Sequence, residues 1–116
     1  MKKGNIILEK SFNFALQIID LYKQLITEKE FVLSKQLLRS GTSIGANVEE
    51  ATAAVSKKDF TAKMSIASKE ARETRYWIRL LDKSKIVNID FNAHLNDIEQ
   101  LINILTAIVK TSQEKC

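Results

Sequence analysis

The fold is decided by residues 66–81, which read IASKEARETRYWIRLL. Apolar or small side chains recur in this stretch at gaps of four and three residues, the spacing of one face of an α-helix. This core row comprises Ala67, Ala71, Thr74, Ile78 and Leu81. A second row beside it comprises Ile66, Trp77 and Leu80, interrupted by Glu70 and Glu73. The stretch therefore predicts an amphipathic helix whose apolar arc is wider than one bundle core requires.

The opposite face of this predicted helix is basic. Helical geometry places lysines and arginines there, with Tyr76 among them. The candidates for anion binding are Lys69, Arg72, Arg75, Arg79 and Lys83. Residues 57–85 hold nine Lys or Arg against four acids, a net charge of +5, whereas the whole chain carries +4. This concentration favours a polyanionic partner, RNA or DNA, over an acidic small substrate; a merely solvated face is the alternative.

Similar helical patterns fill the rest of the chain. The 116 residues include no proline and three glycines, so long helices can run without the usual interruptions. We predict helices over about residues 8–27, 28–55, 57–84 and 91–112. Capping signals are expected from Thr27 with Glu30 before the second helix and from Ser56 with Asp59 before the third. Short connections force neighbouring helices to be antiparallel, so the prediction is an all-α, up-down-up-down four-helix bundle in one domain.

The core rows of the first two helices follow from the same spacing. In the first helix we assign the core to Leu8, Phe12, Ala15, Ile19, Tyr22 and Ile26, with Phe14, Ile18, Leu21 and Leu25 beside them. In the second helix the core row is Leu33, Leu37, Ile44, Val48, Ala51 and Val55. Helices one, three and four carry more apolar side chains than one core requires. Because contiguous apolar patches are rare on soluble monomers, we expect a homo-oligomer; a wide monomer core is the alternative.

Gly41 and Gly45 stand inside the second predicted helix, where each costs about 1 kcal/mol relative to alanine. A phosphate-binding loop is one interpretation, but no Lys-Ser or Lys-Thr follows Gly45 as the nucleotide-binding loop requires. Small residues four apart also let a neighbouring helix approach closely. We favour this packing explanation.

Polar side chains share one flank of helix two, and two carboxylates share the facing flank of helix three. The set comprises Gln36, Arg39, Ser43, Asn47 and Glu50 on helix two and Glu70 and Glu73 on helix three. Paired carboxylates could perform acid and base chemistry if burial raised one pKa. Acids near an arginine more often form a structural network, so we predict an interhelical polar clamp.

The sequence offers little for catalysis or metal binding. A di-iron bundle needs two Glu-x-x-His pairs, whereas His94 is the only histidine, with Phe91 three residues before it. We expect His94 to lie at the core margin, donating to a carbonyl or water. No catalytic residues, cofactor or metal are therefore predicted, and an enzyme with a polar pocket around Glu70 or Glu73 is a minor alternative. Cys116 in the tail permits no intrachain disulfide, and with no signal-peptide core or membrane span we expect a cytoplasmic location.

Three motifs resemble a known family. They are QLLRSGTSIGANVEEA at residues 36–51, SKKDF at 56–60 and IASKEARETRYWIRLL at 66–81, and KSFNFALQIIDLYKQL at 10–25 is similar to the same family's first helix. The family is that of the four-helix bundle proteins encoded in bacterial 23S ribosomal RNA intervening sequences. The chain is also similar to the accessory variability proteins of diversity-generating retroelements, basic pentamers that bind nucleic acid and a reverse transcriptase.

The resemblance implies a small cytoplasmic bundle, often a ring-like homopentamer, with no known enzymatic activity and a role with RNA. It carries over, as fold and assembly positions, Arg39, Ser43, Asn47, Glu50, Glu70, Glu73, Tyr76 and Trp77. We therefore expect a non-catalytic oligomer that binds nucleic acid through the basic face of helix three. The alternative is a structural adaptor for another protein.

Overall fold

The computed structural model describes the backbone of residues 2–114 and the side chains of residues 6–114, so Cys116 lies outside the described residues. Four helices account for most of this range: α1 Lys2–Thr27, α2 Leu33–Thr52, α3 Lys57–Ser84 and α4 Asn92–Glu114. The predicted all-α class and the number of helices are confirmed. Within residues 2–114, no helix combines the length and the apolar character that a membrane crossing requires.

The helices form a rod of 46 × 21 × 20 Å in which chain neighbours lie side by side. The residue pairs in contact between two helices show the helix directions. In each case the residue number rises along one helix as it falls along the other. Between α2 and α3 these pairs are Arg39 with Glu73 and Glu50 with Lys63. Between α1 and α4, Lys10 contacts Gln100, and the loop residue Asn88 contacts Glu28 just beyond α1. Neighbouring helices in the bundle therefore run in opposite directions.

The core of α1 differs from the prediction. Its buried residues include Phe14, Ile18, Leu21 and Leu25, the row that we placed beside the core, and Ile7 and Ser11 continue this row toward the start of the helix. Phe12 and Ile19, assigned to the core, are 64% and 38% exposed. Both rows are apolar enough to face inward, and spacing alone does not distinguish them. Ser11 can be buried because its hydroxyl donates to the Leu8 carbonyl oxygen at 3.2 Å.

The start and end of α2 also differ from the prediction. Thr27 still belongs to α1, where its hydroxyl donates to the Lys23 carbonyl oxygen. The Glu30 carboxylate instead accepts hydrogen bonds from the backbone N–H groups of Val32, Leu33 and Ser34. The helix therefore begins at Leu33 rather than near residue 28, and it ends at Thr52. Val55, predicted in the core row, lies beyond the helix and is 93% exposed.

The third helix has the bounds predicted from the sequence. Ser56 caps it by accepting a hydrogen bond from the Asp59 N–H at 3.0 Å, and Lys85 ends it in the left-handed conformation. The whole predicted core row of α3 is buried, together with Met64. In α4 the buried apolar residues are Ile98, Leu101, Ile102, Leu105 and Ile108, with Phe91 buried just before the helix. Helix α3 therefore places its core row inward and its basic face outward.

Both glycines of α2 lie against α1. A Cβ on Gly41 would come within 2.9 Å of Cγ1 and Cγ2 of Ile18, and one on Gly45 within 3.3 Å of the Ser11 carbonyl oxygen. Such distances are shorter than ordinary van der Waals contact. The packing explanation for these glycines is therefore the one that the structure supports.

Candidate nucleic-acid interface

The outer face of α3 presents a row of basic side chains. This basic row, as we define it, consists of Lys69, Arg72, Arg79 and Lys83, all exposed. It spans 15 residues, which is about 21 Å of helix from the first Cα atom to the last. Thr74 and Ile78, on the opposite side of the helix, are completely buried. The sequence prediction that these cations project away from the core agrees with this placement.

The predicted binding cations differ in their partners. Arg75 is only partly exposed and forms an ion pair with Glu99 of α4. Arg72 donates to the Thr106 hydroxyl at 2.9 Å, a neutral partner that leaves its charge uncompensated. Lys69, Arg79 and Lys83 form no ion pair with any residue in the described part of the chain. The structure therefore brings four of the five candidates into one row and turns Arg75 toward α4.

Beside the basic row, α2 and α3 are joined by what we call the polar clamp: Arg39, Glu70 and Glu73. The Arg39 guanidinium donates to Glu70 Oε1 at 3.3 Å and to Glu73 Oε2 through its second terminal nitrogen. The Arg39 side chain is 51% exposed, so water screens the pair and its contribution to stability is modest. The clamp fixes where these side chains point more than it stabilises the fold.

The clamp extends to two aromatic residues. Trp77 donates its indole N–H to Glu73 Oε2 at 3.0 Å. Tyr76 packs edge-to-face on Trp77, with ring centroids 5.2 Å apart and an interplanar angle of 69°. Tyr76 is 54% exposed and lies on the same face of α3 as the basic row. Trp77 is partly buried beside it. The polar clamp and the basic row thus meet at Tyr76.

The other predicted network residues form separate local contacts. Ser43 donates to the Ser40 carbonyl oxygen, and Asn47 donates to the Ser43 carbonyl oxygen, both at 2.9 Å within α2. Glu50 pairs with Lys63 at 2.8 Å, and its hydrogen bond and charge raise the pKa of that lysine. The structure therefore does not bring Ser43, Asn47 or Glu50 into contact with the Arg39 clamp.

One polar contact between α2 and α3 was missed from the sequence. Thr74 donates to the Ser40 hydroxyl at 2.9 Å, with both residues fully buried. The sequence did contain a signal for this contact, because Ser40 and Thr74 are small polar residues within the core rows of α2 and α3. This bond lies beneath the clamp and fixes the register of α2 on α3.

His94 lies at the opposite side of the bundle from the polar clamp. It is partly buried and contacts Phe91 edge-to-face, with centroids 6.3 Å apart. Its Nδ1 atom is buried and has no hydrogen-bond partner among the described residues, so the predicted donation to a carbonyl is not seen at this nitrogen. Burial lowers the pKa of His94, although the charges of Asp97 and Asp90 act in the opposite direction. No group of three His, Cys, Asp or Glu residues in the described chain could hold a metal ion.

Two apolar areas are exposed, one on each side of α1. The α1–α2 groove is lined by Leu8, Phe12, Ala15, Leu16 and Ile19 of α1 with Thr42, Gly45, Ala46 and Glu49 of α2. The α1–α4 patch is lined by Ile6, Asn103, Ile104 and Ala107. Phe12, Leu16 and Ile6 are each about half exposed or more, at 64%, 49% and 47%. Apolar side chains that the core does not use therefore lie on the surface of α1, among them Phe12, which the spacing had placed in the core.

Comparison with known proteins agrees with this architecture. The family model for the 23S rRNA-intervening sequence protein matches residues 3–107. Among curated proteins, none matches the chain. A crystal structure of a protein with unknown function from the S23 ribosomal protein family of Bacteroides thetaiotaomicron is 46% identical, with a TM-score of 0.88. The similarity covers 93% of this chain and 98% of that one. The likeness to retroelement accessory proteins stays a prediction, whereas the first resemblance is confirmed: the chain belongs to the 23S rRNA-intervening sequence protein family.

Proposed function

We propose that this protein is a non-catalytic helical bundle that self-associates and binds RNA through the basic row of α3. The observation that carries the proposal is that Lys69, Arg79 and Lys83 lie along one exposed face without a carboxylate partner among the described residues. Phosphate groups are the ligands that such a row fits, because binding releases the counterions condensed on a polyanion. The name of the family, which refers to 23S rRNA, supports RNA over DNA.

The carboxylates next to the row support a role without catalysis. Glu70 and Glu73 are both bonded to Arg39, an arrangement typical of a structural network rather than of an acid and base pair. The proposal therefore includes no reaction, cofactor or metal. A cytoplasmic location is part of it and rests on the family resemblance and on the single cysteine.

The two apolar areas support self-association with a second copy of this chain. A dimer with two-fold symmetry uses one self-complementary patch, whereas a closed ring pairs two different patches on each subunit. The α1–α2 groove and the α1–α4 patch lie on different sides of α1, as a ring requires. The homopentamer implied by the family resemblance is such a ring. Several copies of the basic row in one particle would then bind a long RNA more tightly than a single row.

Charge reversal tests the binding surface. We expect Lys69→Glu, Arg79→Glu and Lys83→Glu, combined, to weaken RNA binding measured by fluorescence anisotropy. The slope of log affinity against log salt should become shallower by about 2 to 3, because three phosphate contacts are lost. The matched control reverses Lys23, Lys35 and Lys110, exposed lysines on α1, α2 and α4, and causes the same change in net charge. Equal weakening by both triple variants would show that only the overall charge matters.

The second candidate function is a structural adaptor that binds another protein. The observation that favours it is the exposed α1–α2 groove, which offers apolar area without a cation among its lining residues. Salt dependence separates the two functions. Phosphate binding weakens steeply as ionic strength rises, whereas apolar docking does not.

A further inference from the structure

Tyr76 interrupts the basic row at its centre. Along the outer face of α3 the side chains follow the order Lys69, Arg72, Tyr76, Arg79 and Lys83, at steps of three or four residues. Each step advances about 5 Å along the helix axis. An exposed aromatic ring therefore stands where the row would otherwise carry a cation, with an arginine one turn away on each side. Such alternation of cations with an aromatic ring is typical of surfaces that bind unpaired nucleotides.

The Tyr76 ring packs against a neighbour that is itself held by hydrogen bonds. Trp77 packs against it, Glu73 accepts the indole hydrogen bond, and Arg39 binds Glu73 from α2. This chain of contacts restricts the rotation of the tyrosine ring before any ligand binds. A stacking surface that is already ordered loses less conformational entropy on binding.

The basic row is also narrow. On its α2 side lie Glu70 and Glu73, both paired with Arg39, and on its α4 side lies Glu99, paired with Arg75. The cations without a carboxylate partner therefore form a single line along α3. A row of this width can follow one phosphate backbone, whereas the second strand of a duplex would find on either flank only side chains that are already paired with each other.

We propose that the basic row binds single-stranded nucleic acid in preference to a duplex, with one base stacked on Tyr76. The inference rests on the proposed function and deepens it by naming the form of the ligand. Stacking requires a base whose flat face is free, and inside a duplex the neighbouring base pairs cover both faces. Arg39, Glu73 and Trp77 act as positioning residues for the tyrosine.

The test compares an unstructured RNA of about 12 nucleotides, a DNA of the same sequence and the corresponding RNA duplex by fluorescence anisotropy. We expect the wild-type protein to bind both single strands at least about tenfold more tightly than the duplex. Tyr76→Ala should weaken single-strand binding by about tenfold and leave duplex binding unchanged, because only the stacked base is lost. Tyr76→Phe keeps the ring and should retain the preference, so it is the matched control.

A second measurement tests the positioning role. Trp77→Phe keeps a ring but removes the indole donor to Glu73. We expect it to lower the ratio of single-strand to duplex affinity in the wild-type background and to have no effect on that ratio when Tyr76 is already alanine. Lowering of the ratio in both backgrounds would overturn the positioning role, since Trp77 would then act independently of Tyr76.

The outcomes separate this inference from the proposed function. Equal affinity for strand and duplex, or a Tyr76→Ala variant that binds single strands as well as wild type, would overturn the preference while RNA binding itself stands. Failure of the wild-type protein to bind any of the three oligonucleotides would overturn both.

Discussion

The contact between Gly41 and Ile18 sets the distance between α1 and α2. We expect Gly41→Ala to lower the free energy of unfolding by about 1 to 2 kcal/mol, because the new Cβ would lie 2.9 Å from two carbons of a completely buried isoleucine. This loss is net of the gain of about 1 kcal/mol that alanine brings within a helix. Urea denaturation monitored by circular dichroism measures it.

Ala62→Gly provides the matched control for this change. Ala62 is exposed within α3 and lines neither apolar area, so the substitution measures helix propensity without a steric term. It should destabilise the protein by about 1 kcal/mol. If Gly41→Ala stabilises the protein by a similar amount, the close approach of the two helices is not required for stability.

His94 should make stability depend on pH. Burial lowers the pKa of this histidine below its usual value of 6.5, so the unfolded chain takes up the proton at a higher pH than the folded chain. The contribution of His94 to stability is therefore complete above about pH 6.5 and declines as the pH falls through the lower folded-state pKa. Denaturation of the wild type and of His94→Gln between about pH 7.5 and pH 5 measures the difference in slope.

The expected result is a steeper loss of stability on acidification in the wild type than in His94→Gln. The carboxylates of Asp90, Asp97 and Glu28, which lie near the histidine, remain in both proteins, so the comparison isolates the effect of the imidazole. If the stability of the wild type and of His94→Gln changed with pH in parallel, the His94 imidazole would bind a proton equally well in the folded and unfolded states.

At the level of the helix, the start of α2 depends on one carboxylate. Glu30 accepts hydrogen bonds from three backbone N–H groups, and its negative charge lies at the positive end of the helix dipole. We expect Glu30→Ala to cost about 1 to 2 kcal/mol of stability and Glu30→Gln to cost less, since an amide oxygen still accepts a hydrogen bond.

Glu9→Ala is the control for the capping prediction, because Glu9 is an exposed glutamate inside α1, outside the α1–α2 groove, with helix propensity close to that of alanine. Its replacement should change stability by less than about 0.5 kcal/mol. Thermal or urea denaturation of the three variants under one condition measures these differences. If Glu30→Ala proves as stable as Glu9→Ala, the Glu30 carboxylate does not determine where α2 begins.

The helices differ in how much of them the sequence determines. For α3, the bounds follow from Ser56 and the polar end near Ser84, and one row of small or apolar residues faces inward unambiguously. For α1, either of two adjacent apolar rows could face the core. Ile18 rather than Ile19 is buried because Ile18 packs against Gly41 of α2, which has no side chain to block it. That information belongs to the packed pair of helices rather than to either segment.

The candidate site shows the same division. The basic row could be predicted because helix geometry alone places Lys69, Arg79 and Lys83 opposite the core. The direction of Arg75 could not, since it depends on Glu99 approaching from α4. The link from Arg39 through Glu73 to Trp77 likewise needs the register of α2 on α3, which the buried bond between Ser40 and Thr74 fixes.

For the whole molecule, the apolar groove and the basic row should be coupled through assembly. Phe12 is 64% exposed in the α1–α2 groove, far from the basic row on the outer face of α3. We expect Phe12→Glu to disrupt self-association, because a carboxylate in an apolar contact between copies is costly to desolvate. Size exclusion with light scattering should then show a smaller particle than the wild type.

Loss of assembly should weaken binding to a long RNA much more than binding to a short one. A long RNA can contact several basic rows of one assembly, whereas an RNA of about 12 nucleotides occupies one row in any assembly state. Val55→Glu is the control, because Val55 is 93% exposed in the loop between α2 and α3 and does not line the groove. If Phe12→Glu and Val55→Glu give particles of the same mass as the wild type, the groove is not the contact between copies. If the mass falls while long-RNA affinity is unchanged, each subunit binds RNA independently, and the basic row functions without the assembly.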